Sequence, residues 1–247
     1  MRSSRVGMVW GLALAVGLGS AGAWAAPRSA QEVLEAARVM WRGDTFHASV
    51  ALEVTRGGET TVYRLELWAE GEARALVRVL APENDAGSGY LLLGDDLWYY
   101  APALGRPIPL PAIALQEGLF GSGLDLDDVL RGTGAEDYDV ALSPDQPEDG
   151  YRLVLVPHSG AATVYGRLEL ALRSDLALRE IWYFDQRGRV VKTARVSDFL
   201  ELPGRVLPRT ITIEEASGDR TAVVYERLVI DVPLDPALFT VETLVGR

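Results

Sequence analysis

The chain has 247 residues, with no cysteine, two histidines and a formal charge of −11. The absence of cysteine excludes disulfides, thiolate metal sites and a lipidated N-terminal cysteine, and the excess of acids argues against nucleic acid, which is bound by clustered lysines and arginines. Apolar residues make up 48% and charged residues 24%, which is typical of a globular protein with a full core.

The first 25 residues have the pattern of a secretory signal peptide. A basic start precedes an apolar stretch over 6–19, and residues 23–25 read Ala-Trp-Ala, so we expect cleavage after Ala25. The stretch is shorter than the roughly 20 residues that span a bilayer, which disfavours an integral membrane protein. Cleavage removes two arginines and no acid, leaving 26–247 as one domain with a charge of −13. A cysteine-free exported protein fits the bacterial periplasm.

The domain is predicted to begin with a helix over about 29–41. Ser29 and Glu32 have the Ser-x-x-Glu spacing of a capping box, in which each side chain accepts from the other residue's backbone amide. Apolar residues follow at helical spacing and Gly43 comes directly after the segment.

Alternation of apolar and polar residues, typical of strands, then dominates the chain. Phe46 to Val54 has apolar residues at every second position. Similar runs cover about 60–69, 72–80, 89–93, 97–102, 137–143, 151–157, 164–172, 178–185, 189–199, 206–215 and 220–231. Their connections are too short for helical crossovers, so we predict antiparallel neighbours. About 11 or 12 strands make a mainly β fold with a few helices, as a large curved sheet or partial barrel.

An irregular insertion over about 103–135 interrupts the strands. Its segment 104–111 contains three prolines, which exclude a central strand, and 113–119 and 125–130 are predicted to form short helices. An insertion of this length in a sheet protein is often a lid or a binding element. Its apolar residues need a partner, for which the concave face of the sheet is available.

No cluster of residues predicts catalysis, a metal site or a cofactor. Asp125, Asp127 and Asp128 form the densest acidic group, but the spacing of a calcium loop is absent, and a solvated helix N-terminus explains them better. His47 and His158 have no Gly-x-Ser-x-Gly nucleophile motif to serve, and no spacing selects a pair of carboxylates among the 35 acids. We therefore predict that the protein is not an enzyme.

The aromatic residues leave two interpretations open. Residues 98–100 read Trp-Tyr-Tyr and 182–184 read Trp-Tyr-Phe, so both strands carry large groups on both faces. An ordinary sheet core would explain them. A concave face that is incompletely filled, with room for an acyl chain, is the alternative, and the sequence does not separate the two.

Several motifs resemble the outer-membrane lipoprotein-sorting family, the LolA-like proteins. The main one is Gly-Tyr-Leu-Leu-Leu-Gly-Asp-Asp-Leu-Trp-Tyr-Tyr-Ala-Pro over 89–102, followed by Gly-Arg at 105–106. The stretch 120–130 is similar to the family's next block, although Gly123 stands where an aspartate is common. Weaker matches continue over the rest of the chain at Trp182 to Asp185, Gly188, Asp198-Phe199, Pro208 and Phe239-Thr240.

The resemblance implies an open, incomplete antiparallel β-barrel with a helical lid, as in LolA- and LolB-like proteins. It also implies a periplasmic carrier that binds lipidated protein or lipid acyl chains in an apolar cavity, with an inner-membrane transporter or an outer-membrane acceptor as partner. The alternative is a non-catalytic envelope sensor or scaffold that binds a protein partner or a lipid-exporting transporter. The expected lid residues are Ile113, Leu119, Phe120, Leu124 and Leu130, and the expected cavity residues are Phe46, Val50, Trp98, Tyr100 and Trp182.

Overall fold

A computed structural model of the chain describes residues 29–132, 137–161 and 163–246. The predicted signal peptide lies outside the described residues. The helices are α1 (Ala30–Arg42), α2 (Leu126–Leu130) and α3 (Val241–Leu244). The strands are β1 (Thr45–Arg56), β2 (Glu59–Glu70), β3 (Arg74–Ala81), β4 (Gly89–Leu93), β5 (Asp96–Tyr100), β6 (Ile108–Leu110), β7 (Tyr138–Leu142), β8 (Gly150–Pro157), β9 (Arg167–Arg173), β10 (Leu178–Phe184), β11 (Val190–Leu202), β12 (Arg205–Glu215) and β13 (Arg220–Ile230).

Helix α1 begins and ends where its sequence signals indicate. Glu32 N donates to Ser29 Oγ at 3.2 Å and Ser29 N donates to Glu32 Oε2 at 2.8 Å, so the predicted capping box is confirmed. The helix ends at Gly43, whose φ of +63° suits glycine. A Cβ at Gly43 would lie 2.2 Å from Asp231 Oδ1, so this position also needs glycine for lack of space.

All the strands pair antiparallel in one sheet with the order β6-β5-β4-β3-β2-β1-β13-β12-β11-β10-β9-β8-β7. The first and last strands, β1 and β13, lie side by side and join the two halves of the chain. The hydrogen-bonding order ends at β6 and β7, so the barrel is open between these two edges. The mainly β fold and the open antiparallel barrel are therefore confirmed.

The described residues contain 13 strands, against the predicted 11 or 12. Each predicted strand is present, and the addition is β6, which lies inside the proline-containing segment. Pro109 is its middle residue and pairs with Trp98 of β5. Proline cannot donate to a ladder, and an edge strand needs donors on one side only, so β6 lies at an edge.

Strand β1 shows how the concave face becomes the main core. Its apolar positions Phe46, Ala48, Val50, Leu52 and Val54 are all buried, as their alternation predicts. Burial of a large apolar side chain contributes about 1.5–3 kcal/mol. The inward residues of the other strands and the apolar side of α1 join the same cluster.

A second, smaller apolar cluster lies on the outer face of the sheet. Leu76 of β3 and Leu91 of β4 pack there against Phe239 and Leu244 from the C-terminal segment. Helix α3 is held in place by Arg78, which donates to the main-chain carbonyl of Thr243. The C-terminal segment thus covers outward-facing residues that solvent would otherwise reach.

Candidate functional site

The open side of the barrel is spanned by residues 111–132, which we call the lid. The chain leaves the sheet at the β6 edge, forms a 3-10 turn at Ala112–Gln116, a tight loop and α2, and then leads to β7 at the opposite edge. The predicted insertion began at 103, but 108–110 belong to the sheet as β6, and 133–136 lie outside the described residues. The lid therefore bridges the two free edges of the barrel.

Leucine side chains fix the lid against the concave face. They are fully or almost fully buried within the main core. The four are Leu115, Leu119, Leu126 and Leu130. At about 1.5–3 kcal/mol per buried leucine, these contacts are the main apolar attachment of the lid. The structure thus describes the lid in a closed position.

The loop within the lid depends on small residues. Leu119 N donates to Leu124 O at 2.8 Å, and a Cβ at Gly118 would lie only 1.9 Å from Ser122 O. A Cβ at Gly123 would lie 2.9 Å from Ile213 Cγ2 and 3.4 Å from Glu215 Cγ. An aspartate at this position, as is common in the resembling family, would collide with Ile213 and place a second carboxylate beside Glu215.

A cavity of about 170 Å³ remains between the concave face, α1 and the lid. Its walls are mainly apolar, with a few polar groups near α1 and α2. The sheet contributes Phe46, Val50, Leu65, Leu67, Val77, Ile181, Tyr183, Ala194, Ile211, Ile213, Val223, Tyr225 and Leu228; the lid contributes Leu119, Leu124, Asp128 and Val129; and α1 contributes Leu34, Arg38, Trp41 and Arg42. Such a lining suits an apolar ligand.

The structure brings four of the expected site residues to this cavity. Phe46 and Val50 of β1 line its floor, and Leu119 and Leu124 line it from the lid. Three other lid residues lie elsewhere. Leu130 is completely buried in the core, the Phe120 ring stacks on the Tyr63 ring with centroids 4.5 Å apart, and Ile113 is 55% exposed.

Trp98, Tyr100 and Trp182 were expected in the cavity, and the structure places them on the outer face instead. Trp98 and Tyr100 pack on the cluster that the C-terminal segment covers, and the guanidinium of Arg152 lies 5.1 Å above the Trp182 ring. Side chains alternate along a strand, so a shift of one residue exchanges the two faces. The inward residues of β10 next to Trp182 are Ile181 and Tyr183.

The contribution of α1 to the cavity was not predicted. Leu34, Trp41 and Arg42 form one wall, and the Trp41 indole donates to Leu176 O at 2.9 Å. The amphipathic pattern of the helix shows that one side is buried, but it contains no information on what that side covers.

Arg42 connects the end of α1 to the lid. Its guanidinium Nη2 donates to the main-chain carbonyl of Leu130, and its Cζ lies 5.7 Å from the centre of the Phe46 ring. Burial lowers the pKa of Arg42 to about 10, which leaves the group charged at neutral pH. Arg42 therefore ties α2 to α1 from within the cavity wall.

A buried polar cluster joins α2 to the sheet. Lys192 Nζ on β11 donates to Asp125 Oδ2 at 2.7 Å, and the Tyr165 hydroxyl donates to the same oxygen at 2.8 Å. The Tyr183 hydroxyl donates to Asp128 Oδ2 at 3.1 Å. The solvated helix N-terminus predicted for these aspartates is wrong for Asp125, which is buried and makes no cap hydrogen bond.

Burial changes the acidity of the groups in this region. It raises the pKa of Asp128 to about 7, against an attraction to Lys192 that acts in the opposite direction. Burial likewise raises the pKa of Asp127 to about 6. The pKa values of Tyr165 and Tyr183 are also raised, first by burial and then by the nearby aspartates. Both tyrosines therefore remain hydroxyl donors at neutral pH.

The two histidines lie away from the cavity. His47 Nε2 is 2.7 Å from Glu66 Oε2, and the imidazole stacks on the Trp68 ring at the outer face. His158 Nε2 is 3.2 Å from Asp139 Oδ1 at an exposed site. Both histidines therefore have carboxylate partners outside the cavity.

Comparisons with known proteins agree on one fold. A LolA superfamily protein from Nitrosomonas europaea is 25% identical, with a TM-score of 0.73, covering 86% of this chain and 97% of its own. A domain from Vibrio parahaemolyticus named for outer-membrane lipoprotein sorting is 17% identical, with a TM-score of 0.76 and coverages of 87% and 97%. A DUF1329 family protein from Desulfovibrio piger is 21% identical, with a TM-score of 0.77 and coverages of 86% and 95%.

Sequence comparisons add two results. A family model described as "Uncharacterized protein" matches residues 71–245, which is most of the described chain. No curated protein matches the sequence. Separately, none of the helices within 29–132, 137–161 and 163–246 has the length and apolar character required to cross a bilayer.

Proposed function

We propose that the chain, which belongs to the LolA superfamily by its fold, is a non-catalytic carrier that holds acyl chains in the cavity beneath its lid. The acyl chains belong to a lipidated protein or to a lipid, and the carrier passes them towards the outer membrane. The observation that carries the proposal is the lid itself, whose buried leucines occupy the concave face of an open barrel.

The size of the cavity indicates how loading occurs. At about 170 Å³ it is comparable to the apolar cavity of about 150 Å³ that accommodates benzene in an engineered protein. A whole acyl chain therefore requires the lid to move away from the concave face. The acyl chain then takes the place of Leu119 and its buried neighbours, so apolar contacts with the ligand replace those with the lid.

This exchange makes loading and release close in free energy. Each buried CH₂ of a ligand contributes about 0.8 kcal/mol, and each lid leucine that leaves the core costs about 1.5–3 kcal/mol. Such a balance suits a carrier, which must bind its cargo in one place and release it in another.

The charge of the protein bears on its partners. After removal of 1–25, residues 26–247 form a single carrier domain in the periplasm with a formal charge of −13. Anionic membrane surfaces attract basic segments. The large negative charge of this protein therefore disfavours its direct adhesion to such membranes. We expect cargo to arrive from an inner-membrane transporter and to leave to an outer-membrane acceptor, through contacts with basic surfaces of those proteins.

The test is to purify the protein from the periplasm of producing cells and examine it by native mass spectrometry. A co-purifying lipid or lipidated protein, together with saturable binding of a fluorescent fatty acid, is the expected result. If no lipid co-purifies and the probe does not bind, the carrier function is wrong. A transfer assay between labelled vesicles and an acceptor membrane then separates carrier from sensor, because a sensor would form a stable protein complex and transfer no lipid.

A further inference from the structure

Lys192 provides the barrel with a buried positive charge next to the cavity. Its side chain is 4% exposed and lies on the inward register of β11, two residues from the cavity residue Ala194. The ammonium lies 4.0 Å from the centre of the Tyr183 ring and 5.0 Å from that of Tyr165. A lysine held this deep in an apolar protein is costly unless an anion accompanies it.

In the closed structure the lid supplies that anion. Asp125 Oδ2 accepts from both Lys192 Nζ and the Tyr165 hydroxyl, and Asp128 Oδ2 accepts from the Tyr183 hydroxyl. The three donors belong to the sheet and the segment leading into β9, whereas both acceptors belong to the lid. Movement of the lid would therefore withdraw the acceptors and leave the donors together at the end of the cavity.

We propose that Lys192, Tyr165 and Tyr183 form a subsite for the oxyanion of an acyl ligand, which Asp125 occupies while the lid is closed. The subsite rests on the proposed carrier function and adds a preference for cargo with a carboxylate or phosphate group. Both groups provide oxygens that accept the charge-assisted hydrogen bonds now made to Asp125. The acyl chain would extend from there along the apolar floor towards Phe46.

One carboxylate of the sheet stays beside the lysine when the lid moves. Glu215 of β12 is the cross-strand partner of Lys192, and burial raises its pKa above the ordinary value. An ammonium has three donors, so a ligand oxyanion can share it with Glu215. The lid contributes Asp125, Asp127 and Asp128 to this region, and their departure leaves the site less negative.

The experiment measures binding of three probes with the same fluorescent acyl chain at pH 8: the fatty acid, its methyl ester and the alkyl phosphate. We expect the full-length exported protein to bind the acid or the phosphate about tenfold or more tightly than the ester, in line with a charge-assisted hydrogen bond. The relative affinities of acid and phosphate identify which oxyanion the subsite prefers.

Two variants assign the preference to this cluster. Asp125→Asn weakens the internal occupant and with it the closed lid, so affinity for all three probes should rise several-fold and the preference for the anionic probes should remain. The double variant Lys192→Met with Asp125→Asn removes both charges, so the ester should still bind and the preference should disappear. The matched control is Arg179→Met with Asp149→Asn, which removes an exposed ion pair elsewhere and should keep the preference.

The outcomes separate the two proposals. Equal binding of acid, phosphate and ester by the wild type would overturn the oxyanion subsite while leaving the carrier function intact. A preference that survives in a folded double variant would also overturn it. If that variant fails to fold, the single variant Asp125→Asn provides the test. Unchanged affinity of this variant for the anionic probes would contradict the proposal that Asp125 occupies the subsite. Failure of all three probes to bind would overturn the carrier function itself.

Discussion

The guanidinium of Arg42, in the last turn of α1, donates a hydrogen bond to the main-chain carbonyl of Leu130 at the end of α2. The first helix of the domain and the end of the lid are thereby joined across 88 residues of sequence. Because this bond involves the lid and the stationary wall of the cavity, it opposes opening.

Replacement of Arg42 by methionine is expected to loosen the lid. A hydrogen bond from a charged group contributes roughly 1.5–3 kcal/mol, so amide exchange in the lid should accelerate about tenfold or more. Hydrogen–deuterium exchange with mass spectrometry measures this directly. Arg205→Met is the control, because Arg205 also donates to main-chain carbonyls, but those of Val39 and Met40 in α1. Equal acceleration in both variants would show that Arg42 has no specific effect on the lid.

Truncation of a lid leucine is expected to weaken the closed state and favour the ligand. Leu130→Ala removes a completely buried side chain, which typically costs 2–5 kcal/mol. The urea midpoint should fall, and the affinity for a fluorescent fatty acid should rise because less apolar contact is lost on opening. Ile113→Ala, in the same lid but 55% exposed, should change neither quantity. If a folded Leu130→Ala protein binds the probe more weakly than the wild type, the proposal that the acyl chain replaces the lid leucines in the core is wrong.

The raised pKa of Asp128 predicts that stability depends on pH. Between its ordinary pKa of about 4 and its native pKa of about 7, the folded state keeps the proton that the unfolded chain has lost. The free energy of unfolding should therefore fall as the pH rises through this range. Asp127, with a native pKa of about 6, contributes in the same direction.

Asp128→Asn isolates the contribution of this carboxyl. The variant should be more stable than the wild type at pH 8, on the order of 1 kcal/mol, and the difference should shrink towards pH 4. Urea denaturation across this range provides the measurement. The other titratable groups around Asp128 are present in both proteins: Asp125, Asp127, Tyr138, Tyr165, Tyr183, Lys192 and Tyr225. A variant less stable than the wild type at pH 8 would show that the ionised carboxylate is instead favourable.

Tryptophan fluorescence should report occupancy of the cavity through Trp41. Its indole lines the cavity from α1, whereas Trp182 lies on the outer face. A fatty acid carrying a short-range quencher should therefore reduce the emission of the wild type, and Trp41→Phe should abolish most of that decrease. Trp182→Phe should retain it. Loss of the signal in Trp182→Phe but not in Trp41→Phe would place the ligand on the outer face.

Much of the fold follows from local sequence. The capping box at Ser29 begins α1, and the alternation in β1 identifies its buried side correctly from Phe46 onwards. Both are short-range effects, since they depend on residues three or two positions apart. Trp98 and Trp182 show the limit of such patterns, because a strand with large groups on both faces does not reveal which face is concave.

By itself, the sequence determined the type and order of the elements: one capped helix, a series of antiparallel hairpins and an insertion rich in leucine. The tertiary structure alone decided that β1 pairs with β13, which leaves β6 and β7 as the free edges that the lid bridges. It also brought Lys192 to Asp125, 67 residues apart, and turned an expected solvated acid into a buried partner. The physical reason is that helix caps and alternation act over a few residues, whereas burial and charge pairing depend on which distant segments the folded sheet brings into contact.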